Sequence, residues 1–272
     1  MSPTSTVHYW HDPAFPQLEA NQILRSGHVF PRHFHERCYA LGLMDEGGSD
    51  CLGDGESFAA PGEICLLNPG QVHAGGATAS RPVSYRMIFL DLPFLEGLIE
   101  EVSDGSRCGL ECVSVVVRDP ALRRALDLLH GGLVQGEGGM ALEGALVEAV
   151  ARLLPYHSRP EPGHFRAGRE RCSVRLAREM LSDDLEQKLS LEQLARAVGL
   201  SRYHFLRVFK KETGLTPHIY RTAQRLEAAK KLLRRGMPPV ETALATGFVD
   251  QSHFCNAFRR YYGATPGQYL AG

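Results

Sequence analysis

The sequence predicts an α+β chain of two domains, an antiparallel β domain with two following helices and then an all-α domain. Over residues 21–117, short apolar runs alternate with breaks rich in glycine and proline. After Asp119-Pro120 the apolar residues take helical spacing, and the C-terminal part contains an internal repeat. A length of 272 residues is sufficient for two cores of ordinary size.

The first domain is predicted from short apolar runs bounded by turn residues. Asp54-Gly55 lies between two of the runs and is a hairpin signal. Short strands separated by such turns favour an antiparallel sandwich or a barrel. The runs that predict strands are Tyr39–Met44, Ile64–Leu67, Tyr85–Leu90 and Val113–Val117.

Two amphipathic helices are predicted over about 119–154, where apolar residues recur at the period of a helix. Their apolar faces either pack on the β domain or pair two subunits. The next segment, 155–168, has three prolines and two glycines without apolar periodicity, which is typical of a linker. We therefore divide the chain into a first domain at 1–154, with its β part at about 20–117, the linker, and a second domain at 169–272.

Charge and composition restrict the classes of function. Residues 1–168 hold 12 Lys and Arg against 21 Asp and Glu, whereas residues 169–272 hold 18 against 10. Balances of −9 and +8 suggest that only the second domain meets a polyanion. The chain contains no apolar stretch long enough to cross a membrane, and its N-terminus lacks the pattern of a secretory signal. We expect a cytoplasmic protein whose seven cysteines are reduced.

The internal repeat predicts two helix-turn-helix units. Residues 195–200 align with 243–248 at an offset of 48, and further matches follow at 49. In the first copy Ser190 caps a helix, Gly199 ends it and Ser201 caps the next. Gly247 and Asp250 take the corresponding places in the second copy. A long helix from Thr216-Pro217 to Arg234-Arg235-Gly236 joins the two units, and the predicted core pairs are Phe205 with Phe209 and Phe254 with Phe258.

The second helix of each unit presents residues that are able to read DNA. Arginine pairs with guanine, and glutamine or asparagine pairs with adenine, in a major groove wide enough to admit a helix. Other cations neutralise phosphates. The alternative is a solvated charged face on a helical bundle. The candidate DNA-binding residues are Arg202, Tyr203, Leu206, Arg207 and Lys210 in the first copy and Gln251, Ser252, Cys255, Asn256 and Arg259 in the second.

These motifs resemble the AraC/XylS family of bacterial transcription regulators over about Ser173–Tyr269, the extent of that family's DNA-binding domain. The second unit, GFVDQSHFCNAFRRYYGATPGQY, is close to the family signature. Asn256 departs from it, because arginine is common at that place. The resemblance implies that one chain places both helices in successive major-groove segments on one face of double-stranded DNA.

The first domain is similar to the cupin-like effector-binding domain of many such regulators. The similarity rests on Gly27, His33-Phe34-His35, Gly47 and Pro61–His73. It implies a cupin-like antiparallel β-barrel that binds a small-molecule effector and helices that form a homodimer. It also implies an N-terminal arm, about 7–21, over the pocket. RNA polymerase is a further expected partner if the protein is an activator.

Three histidines, His33, His35 and His73, allow three interpretations: lining of an effector pocket, structural hydrogen bonding, or a metal site. Residues i and i+2 of a strand share a face, so both histidines of His33-x-His35 are able to point inward. The glutamate that enzymatic cupins add a few residues later is missing, since Tyr39 and Ala40 stand there. We expect effector binding and no metal, cofactor or catalytic residue, with the effector-binding set Arg32, His33, His35, Tyr39 and His73.

The predicted function is therefore that of an effector-controlled, DNA-binding transcriptional regulator rather than an enzyme. The alternatives are a metal-dependent cupin enzyme or a metal or thiol sensor fused to a DNA-binding domain, and a DNA binder without any ligand. The thiol alternative rests on Cys38, Cys51 and Cys65, which could converge, and on Cys108 and Cys112, which could pair. Burial as small apolar side chains is the other interpretation of these cysteines.

Overall fold

The structure is a computed structural model that describes residues 6–77, 82–102, 111–136, 140–158, 169–186 and 189–271. The chain forms two compact units, and the boundary between Glu161 and Pro162 lies within the segment expected to be the linker. Most of that segment, 159–168, lies outside the described residues, as does Cys108. Among the helices that are described, none is long and apolar enough to span a membrane.

The N-terminal unit is an antiparallel β domain, as predicted. Its main sheet has six strands in the order β1-β2-β9-β4-β7-β11, and three two-stranded sheets are formed by β3-β8, β5-β6 and β10-β12. The strands are β1 Thr6–Trp10, β2 Leu18–Ser26, β3 Val29–His33, β4 Cys38–Glu46, β5 Ser49–Asp50, β6 Phe58–Ala59, β7 Ile64–Leu67, β8 His73–Gly76, β9 Val83–Asp91, β10 Glu111–Cys112, β11 Val116–Val117 and β12 His157–Ser158.

Each face of the six-stranded sheet packs against an apolar cluster, and successive side chains of a strand point alternately to the two faces. In β4, Tyr39, Leu41 and Leu43 pack in one apolar cluster with the helices of the unit. Ala40 and Met44 belong to a second cluster on the other face, which includes residues of β3, β6 and β9. This second cluster is the interior of the β domain.

Three helices cover the first face: α1 Leu92–Val102, α2 Pro120–Gln135 and α3 Met140–Leu153. The expectation of two helices over 119–154 is confirmed by α2 and α3. Helix α2 begins where Asp119 accepts hydrogen bonds from the N–H groups of Ala121 and Leu122, and it has proline at its first position. Helix α1 was not predicted from the sequence, although Leu95 and Ile99 are buried at helical spacing.

Charged residues join α2 to the sheet. Arg86 of β9 donates two hydrogen bonds to Asp45 of β4, at 2.8 and 2.9 Å, and its Nη2 lies 2.8 Å from Asp127 of α2. Arg123 of α2 contacts both carboxylates and donates to the carbonyl of Met44 at 2.9 Å. Two guanidinium groups therefore share two carboxylates in a partly buried network.

The sheet begins earlier than the expected start near residue 20. Strand β1 pairs with β2 from Thr6↔Leu24 to Trp10↔Ala20, and Tyr9 is buried. The segment 7–21, expected to be an N-terminal arm, contains β1 and the start of β2, so these parts belong to the sheet. The run predicted at Val113–Val117 yields only the short strand β11. Asp54 and Gly55 lie in the loop between the paired strands β5 and β6, as their hairpin signal predicted.

The C-terminal unit is all-helical, as predicted. Its first helix-turn-helix is formed by α5 and α6 and its second by α8 and α9, with α7 between them. The helices are α4 Arg169–Asp183, α5 Leu191–Ala197, α6 Arg202–Thr213, α7 Pro217–Arg234, α8 Pro239–Ala245, α9 Gln251–Tyr262 and α10 Pro266–Leu270. The cap predicted at Ser190 is present and forms a capping box: Ser190 accepts from the Gln193 N–H, and the Gln193 side chain accepts from the Ser190 N–H.

The same ring packing occurs in both halves of the repeat. Phe205 and Phe209 are fully buried with ring centroids 5.6 Å apart, and Phe254 and Phe258 have the same burial and the same 5.6 Å. The tyrosine that ends each copy packs on the second phenylalanine, at 5.6 Å in the first copy and 5.5 Å in the second. The repeat in the sequence thus corresponds to a repeat in the core.

Both turns contain the predicted glycine in the left-handed region, at φ +68° for Gly199 and +76° for Gly247. The room for a side chain differs between these two glycines. A Cβ built on Gly199 meets no atom within 4 Å, whereas one built on Gly247 would collide with the carbonyl oxygen of Leu185. Arg225 donates to that same carbonyl from Nη2 at 2.7 Å and from Nε at 3.0 Å.

Candidate functional site

The second helices of the two repeat units begin and end in the same way. Ser201 accepts from the N–H of His204 at 3.3 Å, and Asp250 accepts from the N–H of His253 at 2.7 Å. Each helix is twelve residues long and is followed by a glycine with φ of +73°. Equivalent residues of α6 and α9 are therefore presented in the same local geometry.

Eight of the ten candidate DNA-binding residues lie on the exposed sides of these helices. Tyr203 is 78% exposed, so its ring is accessible to a partner. Arg207 is exposed, and its Nη2 lies 3.3 Å from Nδ1 of His204 on the same helix. The exposed residues are Arg202, Tyr203, Arg207 and Lys210 on α6 and Gln251, Ser252, Asn256 and Arg259 on α9.

The other two candidates, Leu206 and Cys255, are half-buried and occupy equivalent places in the repeat. Leu206 lines an apolar cavity of about 270 Å³ together with Leu191 and Leu194. Partial burial raises the pKa of the Cys255 thiol. Both side chains therefore support the packing of their helices more than they extend the exposed face.

Two exposed residues of α9, His253 and Arg260, are missing from the set predicted from the sequence. The ring of His253 packs against Phe248 at 5.3 Å, and its backbone N–H donates a hydrogen bond to the side chain of Asp250, which caps the helix. Their counterparts in α6, His204 and Lys211, are likewise absent from the predicted set, so the repeat gave no signal for them.

The three histidines of the β domain converge in its interior. His33, His35 and His73 are 8%, 5% and 6% exposed, and one ring nitrogen of each lies within 4.8 Å of the others. Ring centroids are 4.2 Å apart for His33 and His73, 5.2 Å for His33 and His35, and 5.1 Å for His35 and His73. The ring of His35 also packs on Phe89 at 5.1 Å.

The backbone fixes the orientation of two of these rings. Nδ1 of His33 lies 2.7 Å from the carbonyl of Pro31, and Nδ1 of His73 lies 2.9 Å from the carbonyl of Gln71. A carbonyl only accepts hydrogen bonds, so the proton is on Nδ1 and the lone pair is on Nε2. Burial, reinforced by His33 and His35, holds the pKa of His73 well below its ordinary value, so this imidazole is neutral at pH 7.

Two of the five predicted effector-binding residues do not join this cluster in the interior. Arg32 is exposed, and its Nη1 reaches the carbonyl of Gly53 at 3.5 Å. Tyr39 was expected beside the histidines but lies elsewhere. Its side chain packs in the apolar cluster under the helices, on the opposite face of the sheet from Ala40 and Met44. The reason is that successive side chains of β4 point to opposite faces of the sheet, so Tyr39 and Ala40 cannot share a face.

Three cysteines of the β domain, Cys51, Cys65 and Cys112, are buried free thiols. Cys51 and Cys65 share the interior cluster, with Cys38 partly buried against it. Burial raises the pKa of Cys65 well above its ordinary value and that of Cys112 to about 12. Because the thiolate is the reactive form, neither environment activates a thiol at neutral pH.

Comparison with known proteins agrees with this geometry. Residues 22–154 match the model of the AraC-like ligand binding domain, and residues 194–272 match that of a helix-turn-helix domain. YbfI of Bacillus subtilis (strain 168), an uncharacterized HTH-type transcriptional regulator, is 30% identical over 244 residues, which cover 87% of this chain and 85% of YbfI. The chain belongs to the AraC family of transcriptional regulators. This AraC-family regulator is a DNA-binding protein that carries a ligand-binding domain.

Other relatives of the regulator match either the C-terminal unit or the whole fold. The multiple antibiotic resistance protein MarA of Escherichia coli (strain K12) is 35% identical over 92 residues, which are 34% of this chain and 72% of MarA. Apo ToxT from Vibrio cholerae strain SCE256 has a TM-score of 0.56 at 11% identity, covering 99% of this chain and 97% of ToxT. At that identity the likeness to ToxT establishes the fold only.

Proposed function

We propose that this regulator binds duplex DNA through α6 and α9 together and that a small molecule in its β domain controls the binding. Each helix presents one aromatic or hydroxyl side chain and three side chains able to pair with bases or phosphates. The observation that carries the proposal is the equivalence of the two exposed faces, since four residues of α6 and their counterparts on α9 are all exposed. A solvated surface does not require this repetition.

The experiment is a salt titration of DNA affinity, measured by fluorescence anisotropy with the full chain and a selected duplex. Arg202, Arg207, Lys210 and Arg259 would release counterions if they neutralise phosphates, giving a slope of about −0.9 per contact in log K against log [salt]. Replacing Lys210 and Arg259 by glutamine should reduce the slope by about 2. An unchanged slope would remove these two residues from the interface.

We place the effector in the interior of the β domain beside His33, His35 and His73. The imidazoles supply polar contacts, and Phe89 supplies an apolar wall. ToxT from Vibrio cholerae has been crystallised with an unsaturated fatty acid bound, so a protein of this fold accepts a small ligand. An effector that binds preferentially to one conformation changes the DNA affinity by a factor that its preference sets. By linkage, DNA binding changes the effector affinity by the same factor.

The effector is to be found by thermal-shift screening of the full chain, followed by DNA titration with and without each hit. A hit should stabilise the protein and change its DNA affinity, and His35→Ala should abolish both effects. The matched control is His8→Ala, which removes an exposed histidine of β1 in the same domain. Equal responses of the two variants would place the effector elsewhere.

We also propose that the regulator is a homodimer that pairs through α2 and α3. These helices expose large apolar side chains: Leu128 is 68% exposed, Met140 87% and Val147 43%. Pairing would cover them and join two DNA-binding units, which raises affinity for a double site through effective concentration. Sedimentation of Leu128→Glu should show a monomer where the native chain shows a dimer, and a native chain that sediments as a monomer would refute the pairing.

A further inference from the structure

We propose that His33, His35 and His73 bind one divalent transition-metal ion, with zinc the best match, and leave at least one coordination position open. The expectation from the sequence was a histidine-lined pocket without metal. The structure adds two facts that spacing along the chain did not contain, namely the convergence of the ring nitrogens and the anchoring of two rings. The proposal is independent of DNA binding, so either is able to fail alone.

The separation of the nitrogens fits a single ion. In a tetrahedral site with Zn–N distances of about 2.0–2.1 Å, ligand nitrogens lie about 3.3–3.4 Å apart. The nitrogens here lie within 4.8 Å of one another, so about 1.5 Å or less has to close. The χ2 torsion of histidine is broad, and small ring rotations are sufficient for that closure.

Two of the three rings already have the support that metal-binding histidines usually have. A ligating imidazole commonly donates its other N–H to a carbonyl or carboxylate, which fixes the tautomer and the direction of the lone pair. His33 and His73 meet this condition through the carbonyls of Pro31 and Gln71, at 2.7 and 2.9 Å. In both, Nε2 would be the coordinating atom, and binding would require no change of tautomer.

The strands hold the cluster in place. His33 and His73 are directly opposite each other in the antiparallel pair β3-β8, and the register shifts between Phe30 and His33. This irregularity breaks the alternation of β3, so that Phe30 and His33 are both buried while Arg32 is exposed. His35 follows two residues after the strand and packs on Phe89 of β9, which closes the third side.

The donor set decides the class of ion. Three imidazole ligands suit zinc, copper, nickel or iron(II), whereas magnesium and calcium prefer oxygen ligands. Three protein ligands around a tetrahedral ion leave a fourth position for water or for a ligand with an anionic or nitrogen donor. The metal would thus be a point of attachment for a small molecule that enters the β domain.

The test uses the untagged full chain after treatment with a chelator and dialysis. Zinc is titrated by calorimetry and cobalt(II) by visible absorption, with magnesium as the control ion. We expect one zinc or cobalt ion per chain, a cobalt spectrum typical of nitrogen ligation at low coordination number, and no heat with magnesium. His73→Ala and His35→Ala should each weaken zinc binding by at least about 100-fold, because loss of a partner that only supports a ligand already costs about 10- to 100-fold.

His8→Ala is the matched control and should bind zinc like the native chain. The melting temperature of each metal-free variant is measured as well, and zinc should raise it for the native chain and His8→Ala only. The cobalt spectrum is recorded on the native chain, so it tests the proposal even if a variant fails to fold. Absence of a stoichiometric ion in the native chain, or unchanged zinc affinity in His73→Ala, would overturn the proposal.

Discussion

Arg207→Ala should weaken operator binding without affecting the fold. Arg207 lies on the exposed face of α6, and the contact that the structure gives it is with His204 on the same helix, at 3.3 Å. Its removal therefore leaves no buried group unpaired, and the free energy of unfolding should change by less than about 0.5 kcal/mol. A bidentate contact between arginine and guanine contributes about 1–3 kcal/mol of discrimination, which corresponds to about 5- to 160-fold in affinity.

The assay compares Arg207→Ala with Arg196→Ala by anisotropy, on the best duplex and on duplexes with each base pair replaced in turn. Arg196 is the matched control, because it is an exposed arginine of α5 that pairs with Glu192 at 3.0 Å. Both variants lose one charge, so a purely electrostatic effect would be similar in the two. We expect Arg207→Ala to lose discrimination at one base pair and Arg196→Ala to keep it at every position. Equal losses in the two variants would refute base reading by Arg207.

Three further perturbations test the fold around the sites. Gly247→Ala should destabilise the helical unit by more than about 3 kcal/mol, because the new Cβ would collide with the backbone carbonyl of Leu185. Gly199→Ala should cost only the penalty of a left-handed backbone, about 1–2 kcal/mol. Urea unfolding followed by circular dichroism at 222 nm distinguishes the two variants. Asp45→Asn should cost about 1–3 kcal/mol by weakening hydrogen bonds from two guanidinium groups, and a loss below about 0.5 kcal/mol would contradict the network. Burial lowers the pKa of His130 in the folded protein, so below about pH 6.5 this histidine is protonated in the unfolded chain more than in the folded one. The free energy of unfolding should therefore fall from pH 7 to pH 5, and His130→Asn should reduce this dependence on pH.

The helical unit was predictable in detail because local rules and the repeat agree there. Capping residues, left-handed glycines and the phenylalanine pairs each have a local signature, and the second copy checks the first. The structure places Ser190, Gly199, Asp250 and Phe258 where those signatures predicted. Independent local signals thus specify this unit without knowledge of long-range contacts.

The β domain was predictable only in outline because its features depend on pairing between distant segments. Strand β1 lacks a strong apolar run and is a strand because it pairs with β2. The face on which Tyr39 lies depends on the phase of β4, and the meeting of His33 with His73 depends on a register across 40 residues. The sequence therefore indicated the three histidines as a group but not their convergence or the exclusion of Tyr39.

The pattern of base preference along the operator tests the central claim most directly. Duplexes selected from a random pool by the native chain should show two blocks of preference, centred about 10–10.5 base pairs apart for each DNA-binding unit. Arg207→Ala should relax preference in one block only, and Gln251→Ala in the other only. A single block, or relaxation of the same positions by both variants, would contradict reading of DNA by α6 and α9 together.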